Sequence, residues 1–223
     1  MQYFQTAYVL RCSEALKAYH NEETELPGHF DPQREKLLLE NSRQDLAVFQ
    51  EIYAFYLPKV YTYMSYRVGR VQDAEDLVSS VFLKVVEQLG KFQWRGEGSF
   101  TAWLFKIAHN QIVDHHRQHQ NSQVVELENL PELTSSVLLP AEQILQKEKF
   151  EYLRSLISNL SPRKQEIVTL KFYGGLRNAE IAQVLELDER TVASHLCRAL
   201  NDLHQMYVNE PSLLKKVEVC NER

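Results

Sequence analysis

The stretch SPRKQEIVTLKFYGGLRNAEIAQVLELDERTVASHLCRALNDL, residues 161–203, decides the fold. Ser161-Pro162 reads as a helix start, because proline's fixed φ and missing N–H suit the first turn. Ile167, Val168, Leu170 and Phe172 carry that helix, and Gly174-Gly175 ends it, as glycines that accept left-handed backbone do. A short helix over Asn178 to Leu185 turns Ile181, Ala182 and Leu185 inward. Glu186-Leu187 makes a tight turn, and Asp188 caps a last helix with Val192, Leu196, Ala199, Leu200 and Leu203 on its core face. A small Ala182, a three-residue turn and an inward Val192 are the packing needs of a helix-turn-helix, whose second helix lies in a major groove. Its outer face holds Arg190, Thr191, Ser194, His195, Arg198 and Asn201. The two arginines can reach phosphates or guanine edges, and Ser194, His195 and Asn201 can hydrogen-bond. An ordinary helical hairpin with a polar outer face shows the same spacing.

Outward from this element the chain stays helical. It has only seven glycines and no strand-like alternation, so the expected class is all-α. Residues 1–40 form an acidic extension, with Phe4, Tyr8, Cys12, Ala15 and Tyr19 at helical spacing and a break at Leu26-Pro27-Gly28. That stripe suits either a packed helix or a regulatory segment. Residues 41–117 make a first domain. One helix begins near Ser42 and carries Leu46, Phe49, Ile52, Tyr53 and Tyr56, and Pro58 starts a second. The next, Asp73 to Leu89, sets Ala74, Leu77, Val78, Val81, Phe82, Val85 and Leu89 on one face, with acidic residues in its first turn. After the loop 90–98, Ser99 caps a long helix with Phe100, Trp103, Leu104, Ile107, Ala108, Ile112 and His115 inward. Residues 118–140 read as a flexible polar linker, 141–208 as a second helical domain, and 209–223 as a tail.

The net charge is −5, which weighs against a chain that holds DNA strongly alone, since non-specific affinity comes mainly from Lys and Arg on phosphates. No apolar stretch spans a bilayer, and the N-terminus lacks a signal peptide's basic flank and apolar run. Cys12, Cys197 and Cys220 form no ligand pair and no even disulfide set, which fits a reducing cytoplasm.

Three sets of residues carry a family resemblance. Residues 159–168, 173–185 and 191–200 resemble region four of the extracytoplasmic-function group of sigma factors. Residues 73–82 resemble the polymerase-binding helix of region two, and 100–110 with Asp114-His-His-Arg117 resemble its promoter-melting helix. The regions come in the family's order, and together they cover roughly two-thirds of the chain.

The resemblance implies a non-catalytic subunit that brings RNA polymerase to promoters without a cofactor. It implies that Glu75, Asp76, Ser79, Ser80 and Leu83 meet the β′ clamp helices. An acidic strip suits a basic partner surface. Trp94, Arg95, Lys106, His109, Asn110 and Arg117 would take the single-stranded −10 element. Phe92, Trp94 and Arg95 offer the stacking that unpaired bases need, although Trp94 equally suits the core. The Arg190–Asn201 face would read the −35 element, with further partners in the β flap and an anti-sigma protein. Weak readers tethered on one large enzyme gain effective concentration, which reconciles the acidic net charge with promoter DNA.

The chain departs from the family pattern in places. Glu186 stands where glycine is usual, and a left-handed backbone there would be strained. Arg177 stands where a capping Ser or Thr is common, and Ala193 and His195 replace basic residues. Two rival readings remain. One is a metal-dependent enzyme using His109, His115, His116 and His119, with His115 and His119 at i, i+4 but no acidic base at the expected offset. The other is a conventional helix-turn-helix regulator, which leaves the first domain unexplained.

Overall fold

The computed structural model describes residues 30–42, 45–68, 70–121 and 154–209, and every regular element among them is helical. The helices are α1 (Pro32–Ser42), α2 (Phe49–Val68), α3 (Val71–Gln88), α4 (Ser99–Asn121), α5 (Pro162–Phe172), α6 (Asn178–Leu185) and α7 (Glu189–Asn209). Single 3-10 turns at Leu46–Val48 and Leu89–Lys91 and a short helical piece at 154–158 complete the set. The Phe4–Tyr19 stripe and most of the 118–140 linker lie outside the described residues.

Helix α2 is the axis of the first module. It buries Phe49, Ile52, Tyr53, Tyr56, Leu57, Val60, Tyr61, Tyr63 and Met64 around most of its circumference, the pattern of a helix enclosed on all sides. It also runs straight through Pro58. An interior proline costs about 3 kcal/mol. Each large apolar side chain buried on either side returns roughly 1.5–3 kcal/mol. Packing therefore overrides the local break, and the expected start of a new helix at Pro58 is corrected to one continuous helix.

The helix expected to begin near Ser42 begins at Phe49, and a separate helix, α1, ends at Ser42, where the Ser42 hydroxyl donates back to the Leu38 carbonyl at 2.6 Å. Asp31 caps the start of α1 by accepting from the Arg34 N–H at 2.8 Å, with Pro32 in the first turn. Leu39 is buried, and Glu35 is buried as the acceptor of the Tyr56 hydroxyl. Burial pushes the Glu35 carboxyl above its ordinary range, although the Tyr56 hydrogen bond pulls the other way. Helix α1 thus packs on α2, and the boundary drawn at residue 41 falls inside it.

Helices α3 and α4 pack on α2 and on each other. Six of the seven inward positions expected on α3 are buried, and only Leu77 is partly open. Ser99 does not cap α4 forward as expected. Its hydroxyl turns back to the loop, accepting from the Arg95 N–H at 3.2 Å and donating to the Gly96 carbonyl at 2.6 Å. The Gly98 carbonyl accepts the Ala102 N–H instead.

In the second module α5, α6 and α7 wrap Ile167, Leu170, Leu176, Ile181, Val184, Leu185 and Val192. Gly175 turns left-handed (φ +71°) after α5. Gly174 serves close approach: a Cβ there would meet the Leu170 carbonyl at 2.8 Å and the Phe105 ring at 2.9 Å. Phe105 belongs to α4, so the two modules share one apolar cluster, with α6 seated on α4. Leu200, expected in the core, is 43% exposed: Ala199 beside it is fully buried and Leu203 and Met206 further along pack on the core, so Leu200 falls at the edge of the inward face.

Candidate nucleic-acid interface

Helix α7 turns outward the residues expected to meet DNA. Arg190, Ser194, Arg198 and Asn201 are exposed, and Thr191 and His195 are partly exposed, while Val192 and Ala199 are fully buried on the other side. Arg190 to Asn201 covers about 16 Å at 1.5 Å per residue, close to five base-pair steps of a duplex. The helix starts from the turn at Glu186, which is left-handed (φ 55°, ψ 49°), and the Leu187 N–H there donates to the Ala182 carbonyl at 2.9 Å. The departure from glycine is therefore real strain. At the other end of α6, Arg177 has no acceptor to offer the first turn. Glu180 supplies the missing half by accepting from the Arg177 backbone N–H at 2.7 Å.

Helix α3 leaves Asp76 exposed and Glu75, Ser79, Ser80 and Leu83 partly exposed, opposite its buried face. These five form one strip at i, i+3/i+4 and i+7 spacing.

The −10 candidates are distributed differently from the expectation. Asn110 is exposed, Arg95 is exposed on the loop, and Arg117 pairs with Asp114 at 3.0 Å. Trp94 is partly buried at a shallow groove of about 300 Å³ lined by Lys36, Leu39, Glu40, Phe92 and Gln93. Phe92 is corrected to a core residue: it is 7% exposed and packs on Phe100 and Trp103, with ring centroids 5.4 and 5.0 Å away. Lys36 comes from α1, whose sequence has almost no apolar period to place its faces.

Lys106 and His109 face the second module rather than solvent. Lys106 Nζ lies 2.5 Å from Glu186, and His109 Nδ1 lies 3.1 Å from Glu166. Glu166 also accepts from the Tyr63 hydroxyl at 2.5 Å and pairs with Arg67 at 2.7 Å. Burial alone would raise the Glu166 carboxyl, yet the His109 hydrogen bond and the Arg67 charge outweigh it and hold the group below its ordinary range. Burial pulls the Lys59 ammonium down to about 8, against the opposing pull of Glu180 and Glu35. Arg67 is a further cation of this face. Its only signal in the sequence was a charge interrupting the apolar run of α2. His115 sits 3.6 Å from Asp73, an orientation that serves the packing of α4 on α3.

Comparison with known proteins fits this geometry. The model for Sigma-70 region 2 matches residues 52–122, and that for Sigma-70, region 4 matches residues 150–203. The ECF RNA polymerase sigma factor BldN of Streptomyces coelicolor is 32% identical over 71% of this chain and 60% of its own length. The RNA polymerase sigma factor YlaC of Bacillus subtilis is 28% identical over 69% of this chain and 88% of its own. Two solved structures share the fold. CnrH, in complex with the cytosolic domain of CnrY, has a TM-score of 0.59 at 18% identity, covering 79% of this chain and 99% of that one. The sigma factor RpoE of Bartonella quintana, in complex with the anti-sigma factor NepR, has a TM-score of 0.54 at 22% identity, covering 71% and 96%. With both regions present in order and relatives of this kind, the chain belongs to the extracytoplasmic-function group of the sigma-70 family, the RNA polymerase sigma factors that direct promoter-specific initiation.

Proposed function

We propose that the first module holds the polymerase and reads the −10 element while the second reads the −35 element. The observation that carries this reading is the two-sidedness of α3 and α7. Each commits one face to a buried apolar core and turns a polar face outward. On α3 the outward strip of Glu75, Asp76, Ser79, Ser80 and Leu83 meets the β′ clamp helices, where acidic groups complement a basic surface. On α7 the strip from Arg190 to Asn201 enters the major groove, and the module also rests on the β flap. On and before α4, Trp94 and Arg95 stack on unpaired bases, and Lys106, His109, Asn110 and Arg117 hold the backbone of the melted strand. Catalysis belongs to the polymerase, and the chain needs no cofactor. It works in the cytoplasm, and an anti-sigma protein is its regulator, a partner class that the CnrH and RpoE complexes support.

Run-off transcription with purified core polymerase on fragments of the source genome tests the reading. Discrete new transcripts that depend on the chain are expected. Asp76→Arg reverses one exposed charge on α3 and is expected to abolish co-elution with core while leaving the melting curve unchanged, since exposed substitutions usually stay within about 0.5 kcal/mol. Normal co-elution of that variant would remove α3 from the polymerase contact.

A further inference from the structure

Two of the side chains assigned to the melted strand, Lys106 and His109, and the neighbouring Arg67 are already occupied by carboxylates of the second module. Lys106 pairs with Glu186 at 2.5 Å, and Arg67 and His109 converge on Glu166 at 2.7 and 3.1 Å. Glu166 is 5% exposed, so this contact is sealed rather than incidental. The loop that leads into α4 is held too. Arg177 of the second module reaches Glu97 at 2.5 Å, and a Cβ added at Gly98 would collide with the Glu180 and Arg177 side chains. Apolar contacts complete the closure: Phe105 of α4 lies against Gly174, and Tyr66 stacks on Tyr173 with ring centroids 3.5 Å apart.

Carboxylate and phosphate oxygens make the same charge-assisted hydrogen bonds to Lys and Arg. A donor set that faces one cannot face the other. We propose that the second module is an internal competitor of promoter DNA: Glu166 and Glu186 stand in for strand phosphates on Arg67, His109 and Lys106, and mask the −10 face until the modules separate. The proposal rests on the assignment of α4 to the melted strand. It also accounts for Glu186. A residue held at φ 55° where glycine would be relaxed is kept in place by what its side chain does, and here that is the pairing with Lys106 across the module boundary.

Masking has a measurable form. If only an open fraction of molecules binds, the apparent Kd rises by the reciprocal of that fraction. The test uses the full chain with Glu166→Gln and Glu186→Gly. The first change is nearly isosteric but removes the counter-charge of the largely buried Arg67, and the second relieves backbone strain; Glu186→Gly alone, at an exposed position, carries the test if the double variant does not fold. The probe is fluorescein-labelled oligothymidylate. Energy transfer between dyes on Cys197 and on Gln88→Cys, with Cys12 and Cys220 changed to serine, reports module separation. The control, Asp45→Asn with Glu87→Gln, makes the same change in net charge at exposed sites away from the contact.

The double variant is expected to show lower energy transfer and to bind the probe about tenfold more tightly, as opening from a one-tenth open fraction would give. The control is expected to match the wild type. Unchanged transfer overturns the closure, unchanged affinity overturns the masking, and a control that tightens as much as the variant reduces the effect to net charge. These readouts need no polymerase. Loss of co-elution with core would sink the sigma reading of the chain while leaving the masking result standing.

Discussion

Phe82→Ala is expected to lower the free energy of unfolding by about 3–5 kcal/mol, the range for removing a buried phenyl ring. Phe82 is 1% exposed on the inner face of α3, edge-on to Tyr53 with ring centroids 4.6 Å apart. The helix it packs against, α2, is enclosed nearly all round and has little freedom to collapse into the cavity. Whole domains have only about 5–15 kcal/mol to lose, so the first module is left marginal. Urea denaturation measures this: the midpoint should fall while the slope with denaturant stays the same. Co-elution with core should fail as well, because a molten α3 cannot present its outer strip. Asp76→Arg on that strip shares the second result but not the first. The pair therefore separates holding the fold from holding the polymerase. A Phe82→Ala chain with an unchanged midpoint would mean that α3 does not pack as described.

The sequence was most legible where one helix face does one thing. The inward residues of α3 form an unbroken apolar stripe, and the structure buries nearly all of them. The helix-turn-helix was equally readable, since its punctuation is local: glycines after α5, a tight turn at Glu186, and a small residue where helices cross. The expectations that failed were those decided by tertiary context. Pro58 carries a strong local stop signal, but α2 is packed on so many sides that the signal loses. Helix α1 was missed because one of its inward residues is a carboxylate, Glu35, satisfied by a tyrosine hydroxyl 21 positions away. Phe105 stood outside the expected core stripe of α4 because it packs against the other module.

The candidate site divides the same way. The exposed face of α7 follows from helical period alone. The occupancy of Lys106 and His109 does not, because their partners lie 80 and 57 positions along the chain. No period or composition can express a pairing at that distance. It also explains why a cationic face could be identified and yet be thought open.

Replacing both Arg190 and Arg198 by alanine is expected to reduce transcription from the chain's own promoters by about two orders of magnitude. Each bidentate contact to a base is worth about 1–3 kcal/mol, and 1.4 kcal/mol is a factor of ten. Both side chains are exposed, and neither makes an ion pair among the described residues, so the melting curve and co-elution with core should stay as in the wild type. The two positions lie eight residues apart, about 12 Å along the helix, far enough that their effects should nearly add. The way activity falls tells what each arginine touches. An arginine that reads a guanine edge takes sequence preference with it, so its loss should weaken the cognate promoter more than a promoter changed at that base. An arginine on a phosphate weakens all promoters alike and lowers the salt slope of binding by about one. Wild-type transcription from the double variant would move the recognition surface off this face of α7. The remaining exposed groups there, Ser194 and Asn201, can hydrogen-bond phosphate oxygens but carry no charge, so any binding they support alone should lose the salt dependence that charge neutralisation gives.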